Sequence, residues 1–224
     1  DVEELKPSAA SIMPDDQMKP FSDKEVRALF AYLRHNQQVP MLATAENAKD
    51  LFNGKDLTGW NGDAKLWKID NGEIVGKTDG LKHNAFLYSD LAAENFKLTL
   101  KVKLTPKGGN SGVQFRSAPL ADGEMKGPQA DIGAGWWGKL YEENGRALLE
   151  PKGGEQFVKP EEWNDYAIEA IDGNVKIWIN GNLCTDRKND ADLARRGVFG
   201  LQLHSGGAQE VRFKEIKLEV LKKN

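Results

Sequence analysis

The chain has 224 residues, of which 39% are hydrophobic and 29% charged, with a formal net charge of -3. That length holds one large β domain, or a domain plus a smaller piece, and the composition excludes a disordered chain. The charge balance, with lysines and acids alternating and no basic block, gives no reason to expect nucleic acid or a membrane surface as partner. No apolar run reaches the roughly 18 residues that a bilayer-spanning helix requires. Cys184 is the one cysteine, so there is no internal disulfide and no cysteine metal cage.

The first residue is Asp1, and no basic-then-apolar leader follows it, which fits a processed or truncated chain. Composition changes near residue 45, dividing the chain into a helical segment, residues 1–45, and a β part, residues 46–224. In the first, Ser22-Asp23-Lys24-Glu25 has the form of a capping box. Val26, Leu29, Phe30 and Leu33 then recur at helical spacing, predicting one amphipathic helix that ends near Arg34–His35, with Pro40 closing the segment.

From residue 50 onward the pattern is that of strands. Five Asn-Gly pairs (beginning at Asn53, Asn61, Asn71, Asn144 and Asn180) and three Asp-Gly pairs (Asp79, Asp122, Asp172) mark tight turns. Phe96, Leu98, Leu100, Val102 and Leu104 alternate with polar residues, as do Val175, Ile177 and Ile179. Near the end Val211 and Phe213 lie in one phase and Ile216, Leu218 and Val220 in the other, so a β-bulge is expected at Lys214–Glu215. Many short strands with one apolar face and no second long helix predict an all-β fold, a jelly-roll sandwich of two antiparallel sheets.

Several polar residues share strand faces beyond what a packed core requires. Gln114 and Arg116 alternate with Val113 and Phe115; Gln129 and Asp131 share a face of the next strand; Gln202 and His204 alternate with Leu201 and Leu203. An arginine can fork two donors onto a ligand oxygen or a developing negative charge. A carboxylate such as Asp131, or an imidazole such as that of His204, can exchange a proton, although each could instead be a satisfied structural group. Glu142 and Glu150 are further carboxylate candidates, with surface charge the plainer account. Trp136 and Trp137, flanked by glycines, and Tyr141 could offer an aromatic face to a ligand, while Trp60, Trp67, Trp163 and Trp178 suit the core or the sheet surface. Asp131, Glu150 and His204 could converge on a divalent ion, but no spacing such as H-E-x-x-H occurs, so the sequence assigns no metal and no cofactor.

In order along the chain, LFNGKDLTGW (51–60), FKLTLKVKL (96–104), NSGVQFR (110–116), GPQADIG (127–133), GKLYE (138–142), WND (163–165), INGN (179–182), GLQLH (200–204) and VRFKEIKLEVL (211–221) resemble the 3-keto-disaccharide hydrolase domain family. The resemblance implies a concanavalin A-like sandwich that cleaves sugars whose C3 hydroxyl has been oxidised to a ketone. The ketone acidifies the C2 proton; its removal gives an enolate that expels the C1 oxygen, and water then adds to the unsaturated product. On this reading Asp131, His204 and Arg116 are catalytic, and Gln114, Gln129, Trp136, Trp137, Tyr141 and Gln202 bind a small carbohydrate. A non-catalytic carbohydrate-binding module is the alternative, because the fold serves both roles.

Residues 7–40 resemble the C-terminal end of a c-type cytochrome domain, with Met13-Pro14 and Ala31-Tyr32-Leu33 at the places of the axial methionine loop and the last helix. No C-x-x-C-H is present, so this chain attaches no haem covalently. The resemblance implies an upstream cytochrome domain or redox partner, and periplasmic or extracellular placement.

Overall fold

The computed structural model describes residues 18–34 and 39–222. The chain divides into two compact units, Asp1–Val39 and Pro40–Asn224. The first contains helix α1 (Asp23–Arg34), and its capping box forms as the sequence predicts. The Ser22 backbone N–H and hydroxyl both donate to Glu25 Oε2, at 2.8 and 2.7 Å, and the Glu25 N–H points back to the Ser22 hydroxyl. Phe30 and Leu33 of this helix are exposed. Ala31-Tyr32-Leu33 lies within α1, whereas Met13-Pro14 and His35 lie outside the described residues.

The second unit is a two-sheet sandwich. In chain order its strands are β1 (Met41–Leu42), β2 (Trp60–Asn61), β3 (Trp67–Asp70), β4 (Glu73–Leu81), β5 (Ala85–Ala93), β6 (Phe96–Thr105) and β7 (Asn110–Pro119). There follow β8 (Met125–Gly133), β9 (Leu140–Glu143), β10 (Ala147–Glu150) and β11 (Asn164–Ile171). The last are β12 (Asn174–Ile179), β13 (Asn182–Arg187), β14 (Gly197–Leu203) and β15 (Gly206–Val220). One sheet runs β1-β5-β14-β7-β8-β9-β10, with β2 also on β5, and the other runs β13-β12-β11-β6-β15-β4-β3. The short β1–β5 pair is parallel, and the ladders around it are antiparallel.

The predicted alternations set the core. Phe96, Leu98, Leu100, Val102 and Leu104 of β6 are all buried, with the lysines between them turned outward. Across the interface Phe96 meets Phe115 and Phe199 edge to face, at centroid distances of 5.9 and 4.9 Å, so the two sheets lock around one aromatic cluster. The bulge expected in the last strand is present. The β15–β6 register slips between Lys214 and Lys217, and Glu215 takes a left-handed φ of 53°.

Two of the family-like motifs are stitches of the fold. Trp60 donates its indole N–H to the Leu51 carbonyl at 2.7 Å, closing the LFNGKDLTGW loop on itself. Asn164 accepts from the Lys159 N–H and the Asn180 amide and donates to the carbonyls of Lys159 and Glu162, joining WND to INGN. Because Asn164 is buried, Asn164→Ala strands these partners. We expect a loss of about 2–3 kcal/mol in urea unfolding; a loss below about 0.5 kcal/mol would contradict this role.

Candidate functional site

The face of the eight-stranded sheet that points away from the core carries a polar row. Register explains it: Gln114 lies opposite Gln129, which lies opposite Tyr141, while Asp131 lies opposite Gly112. Their sequence neighbours Val113, Ala130 and Ile132 fill the core. Glycine is required at Gly112, where a Cβ would come within 2.4 Å of the Gln129 side chain that lies across the strand. Tyr166, from the opposite sheet, donates its hydroxyl to the Asp131 main-chain carbonyl at 2.7 Å and so pins β8 at this point.

The turn after β8 decides which tryptophan faces the pocket. The N–H groups of both Trp136 and Trp137 donate to the Gly133 carbonyl. Gly138 has a φ of 74°, and a Cβ there would sit 2.8 Å from Cys184 Cβ. Trp136 turns outward, edge to face with Tyr141 at 6.1 Å and with Lys139 Nζ 5.1 Å from its ring. Trp137 turns inward and packs near Tyr166.

The resulting pocket, about 300 Å³, is lined by Asn110, Gln129, Asp131, Trp136, Tyr141, Glu143 and His204. At its floor the Gln114 and Gln129 amides are 2.9 Å apart, and Gln129 is 2.7 Å from Asp131 Oδ1. Asp131 Oδ2 is buried without a hydrogen-bond partner among the described residues. Burial pushes the Asp131 carboxyl up to about 7, and the nearby Glu143 charge adds to it; a Gln129 NH2 turned toward the carboxylate works the other way. Glu143 is itself raised, first by burial and then by Glu124. His204 Nδ1 lies 2.7 Å from the Ser205 carbonyl, so Nδ1 carries a hydrogen and Nε2 is the ring nitrogen that can exchange a proton. A buried carboxyl holding its proton near neutrality, a second carboxyl and an imidazole acceptor together can donate and remove protons around one small ligand.

Of the residues singled out in the sequence, Asp131, Gln129, Trp136, Tyr141 and His204 therefore meet in the pocket. Gln114 and Gln202 face the same side but are fully covered, so they support the pocket wall and do not contact a ligand. Trp137 belongs to the core. Glu142 pairs with Arg146, and Glu150 lies off the pocket in β10. Glu143 and Asn110 were not singled out. Alternation from Tyr141 marks Glu143, which stands beside the Asn144-Gly145 turn. Among the described residues no group of three or more histidine, cysteine or acidic side chains is arranged to hold a metal ion.

Arg116 is the largest correction. Its left-handed φ of 49° marks a bulge where the β7–β8 register slips, so alternation fails and Ser117 shares the Gln114 face instead. The Arg116 guanidinium is buried beside Phe96. It donates to the carbonyls of Glu94 (2.6 Å), Asp172 (2.7 Å) and Ala194 (3.2 Å) and to Asn95 Oδ1 (3.1 Å). Burial, with Arg195 nearby, lowers its pKa to about 10, so it stays cationic at neutral pH.

A larger groove of about 480 Å³ crosses the outer face of the seven-stranded sheet, against Trp178. Its acids, Asp165 and Glu215, are exposed and paired with Lys101. No carboxyl there is withdrawn from water, so the smaller pocket has the chemistry.

The model of the 3-keto-alpha-glucoside-1,2-lyase-like domain matches residues 47–219. The chain belongs to this family. Two solved structures of candidate glycosyl hydrolases from Parabacteroides distasonis ATCC 8503 share the family member's fold. One is 22% identical with a TM-score of 0.59, covering 76% of this chain and 98% of the other. The second is 23% identical with a TM-score of 0.59, covering 80% and 98%. The carbohydrate-binding module CBM66 from Bacillus subtilis is 22% identical with a TM-score of 0.55, covering 72% and 95%. No curated protein matches the chain. At these identities the neighbours establish the sandwich fold and leave the chemistry to the pocket.

Two outcomes follow from this placement. Arg116→Met leaves four acceptors unsatisfied and should cost roughly 3 kcal/mol or more. In thermal melts Tm falls while the folded fraction keeps its ligand affinity; an unchanged Tm with lost affinity would restore Arg116 to the site. For Asp131, the folded carboxyl keeps its proton up to about pH 7, whereas the unfolded one releases it near the ordinary aspartate value of about 3.9. The folded state thus binds more protons across that window, and this group's stabilising contribution is lost as pH rises through it. Asp131→Asn should therefore gain stability relative to the parent between pH 4 and pH 8; a constant difference across that range would contradict the assignment.

Proposed function

We propose that this chain cleaves 3-keto-glycosides by proton abstraction and elimination in the Asp131 pocket. The observation that carries the reading is the Asp131 carboxyl, removed from water and facing the same small pocket as Glu143 and His204. A ketone at C3 makes the C2 hydrogen acidic. A base, His204 Nε2 or Glu143, takes that proton; the C2–H electron pair forms C1=C2, and the C1–O bond breaks with its pair on the leaving oxygen. That oxygen takes a proton from an acid in the pocket, and water then adds across the unsaturated ketone. Asn110 and Tyr141 supply donors for the developing enolate, and Trp136 offers an aromatic face for the pyranose ring. An ordinary glycosidase would need two carboxyls set across a scissile bond, one of them held ionised; here burial raises both Asp131 and Glu143.

The test is incubation with 3-keto-trehalose and 3-keto-lactose against the unoxidised sugars, with and without EDTA. Free monosaccharide should appear from the keto forms alone. Asp131→Asn and Glu143→Gln should each reduce kcat/KM by roughly 10²-fold or more. Binding of all four sugars without turnover would instead make the domain a carbohydrate-binding module.

A further inference from the structure

The floor of the pocket holds a chain of buried amides whose direction has a chemical consequence. The Gln114 amide lies in a cradle: one of its terminal atoms is 3.3 Å from the Gly127 carbonyl, 3.3 Å from the Pro128 carbonyl and 2.6 Å from the Ser117 hydroxyl. Two carbonyls at that distance repel an amide oxygen and attract an NH2 group, so the NH2 belongs there. The Gln114 oxygen then faces Gln129 at 2.9 Å, which requires the Gln129 NH2 on that side. Turning the Gln129 amide in this way puts its oxygen in the place of its NH2, 2.7 Å from Asp131 Oδ1. Two oxygens at that separation need a proton between them, and the distance is typical of an O–H···O hydrogen bond.

We infer that Asp131 is the proton donor of the site, kept neutral by a Gln114–Gln129 relay that reads its direction from the Gly127 and Pro128 carbonyls. The relay rests on geometry alone; the donor role rests on the function proposed above. Gln114, which no ligand touches, is a positioning residue acting through Gln129. Other groups around Asp131 do not reverse this. Glu143 from β9 opposes its ionisation, the neighbouring Tyr141 hydroxyl is itself held protonated by burial and by these carboxyls, Tyr166 touches only its main-chain carbonyl, and Lys139 favours the ion without pairing to it. His204 lines the same pocket. With the Gln129 amide so turned, its oxygen makes no bond to Gln202 Oε1, 3.4 Å away, and the Gln202 NH2 keeps its own contact with Glu143 at 3.3 Å. In the reaction the Asp131 proton passes to the departing C1 oxygen as the C1–O bond breaks. The proton taken from C2 goes to the other partner.

The test is NMR on the full chain with ¹³C-labelled aspartate and ¹⁵N-labelled glutamine. In the parent the Asp131 carboxyl should be neutral at pH 6, and the Gln114 NH2 should show Overhauser contacts to Ser117 Hβ. Gln114→Met frees Gln129 to turn its NH2 toward the carboxylate, so the Asp131 midpoint should fall by a pH unit or more, a tenfold shift in its proton equilibrium. An ionised Asp131 at pH 6, a Gln114 NH2 that contacts only Gln129, or an unmoved midpoint in Gln114→Met overturns the relay. The parent measurements stand even where the variant does not fold. With 3-keto-trehalose, the alkaline limb of the pH–rate profile should move with the midpoint; a fixed limb removes the donor role. Absence of any turnover overturns the proposed function and the donor role, while the relay is judged by the titration.

Discussion

Withdrawing the Asp131 carboxyl from water, on the outward face of a sheet, is the constraint around which the rest of this site is arranged. Ionising a carboxyl there has no paired cation to offset its lost hydration, so the surroundings must either supply donors or keep the group protonated. The glycine at 112 gives the Gln129 side chain room to lie against Asp131, and the Tyr166 hydroxyl fixes the strand beneath it. The left-handed glycines of the following turn send Trp136 to the pocket and Trp137 to the core. One buried group thus links β7, β8, β9 and, through Tyr166, the opposite sheet.

Division of labour between the two faces of the eight-stranded sheet follows from strand periodicity. Residues of one phase in β7, β8 and β14 meet Phe96 and its neighbours in the core, and those of the other phase form the polar floor. Destabilising one carboxylate is tolerable because the inner phase is packed by an interlocked aromatic cluster. Function and stability therefore occupy alternate residues of the same segments. For that reason motifs such as NSGVQFR and GPQADIG carry both.

Much of this was legible in the sequence, for identifiable reasons. The alternation of β6, the capping box at Ser22 and the phase slip at Lys214–Glu215 are local patterns, and the structure realises each. The pairing of Gln129 with Asp131 on one face was also a matter of counting by two. Arg116 was misplaced because nothing marks a bulge where an arginine, and not glycine or asparagine, takes a positive φ. Trp136 and Trp137 could not be told apart because a turn, with no fixed period, separates them. Glu143 reaches the pocket through the register of β9 on β8, which is a long-range pairing that the residues themselves do not announce.

The central claim is that the C2 hydrogen of the sugar is removed during cleavage, and that sets this pocket apart from ordinary glycosidic hydrolysis. Running the cleavage of a 3-keto-disaccharide in D2O and examining C2 of the released keto sugar tests it most directly. The account predicts one deuterium at C2, delivered when water adds back to the unsaturated intermediate, and a rate reduced by deuterium at C2 of the substrate. Full retention of hydrogen at C2 with no isotope effect would mean direct displacement at C1, and would contradict it.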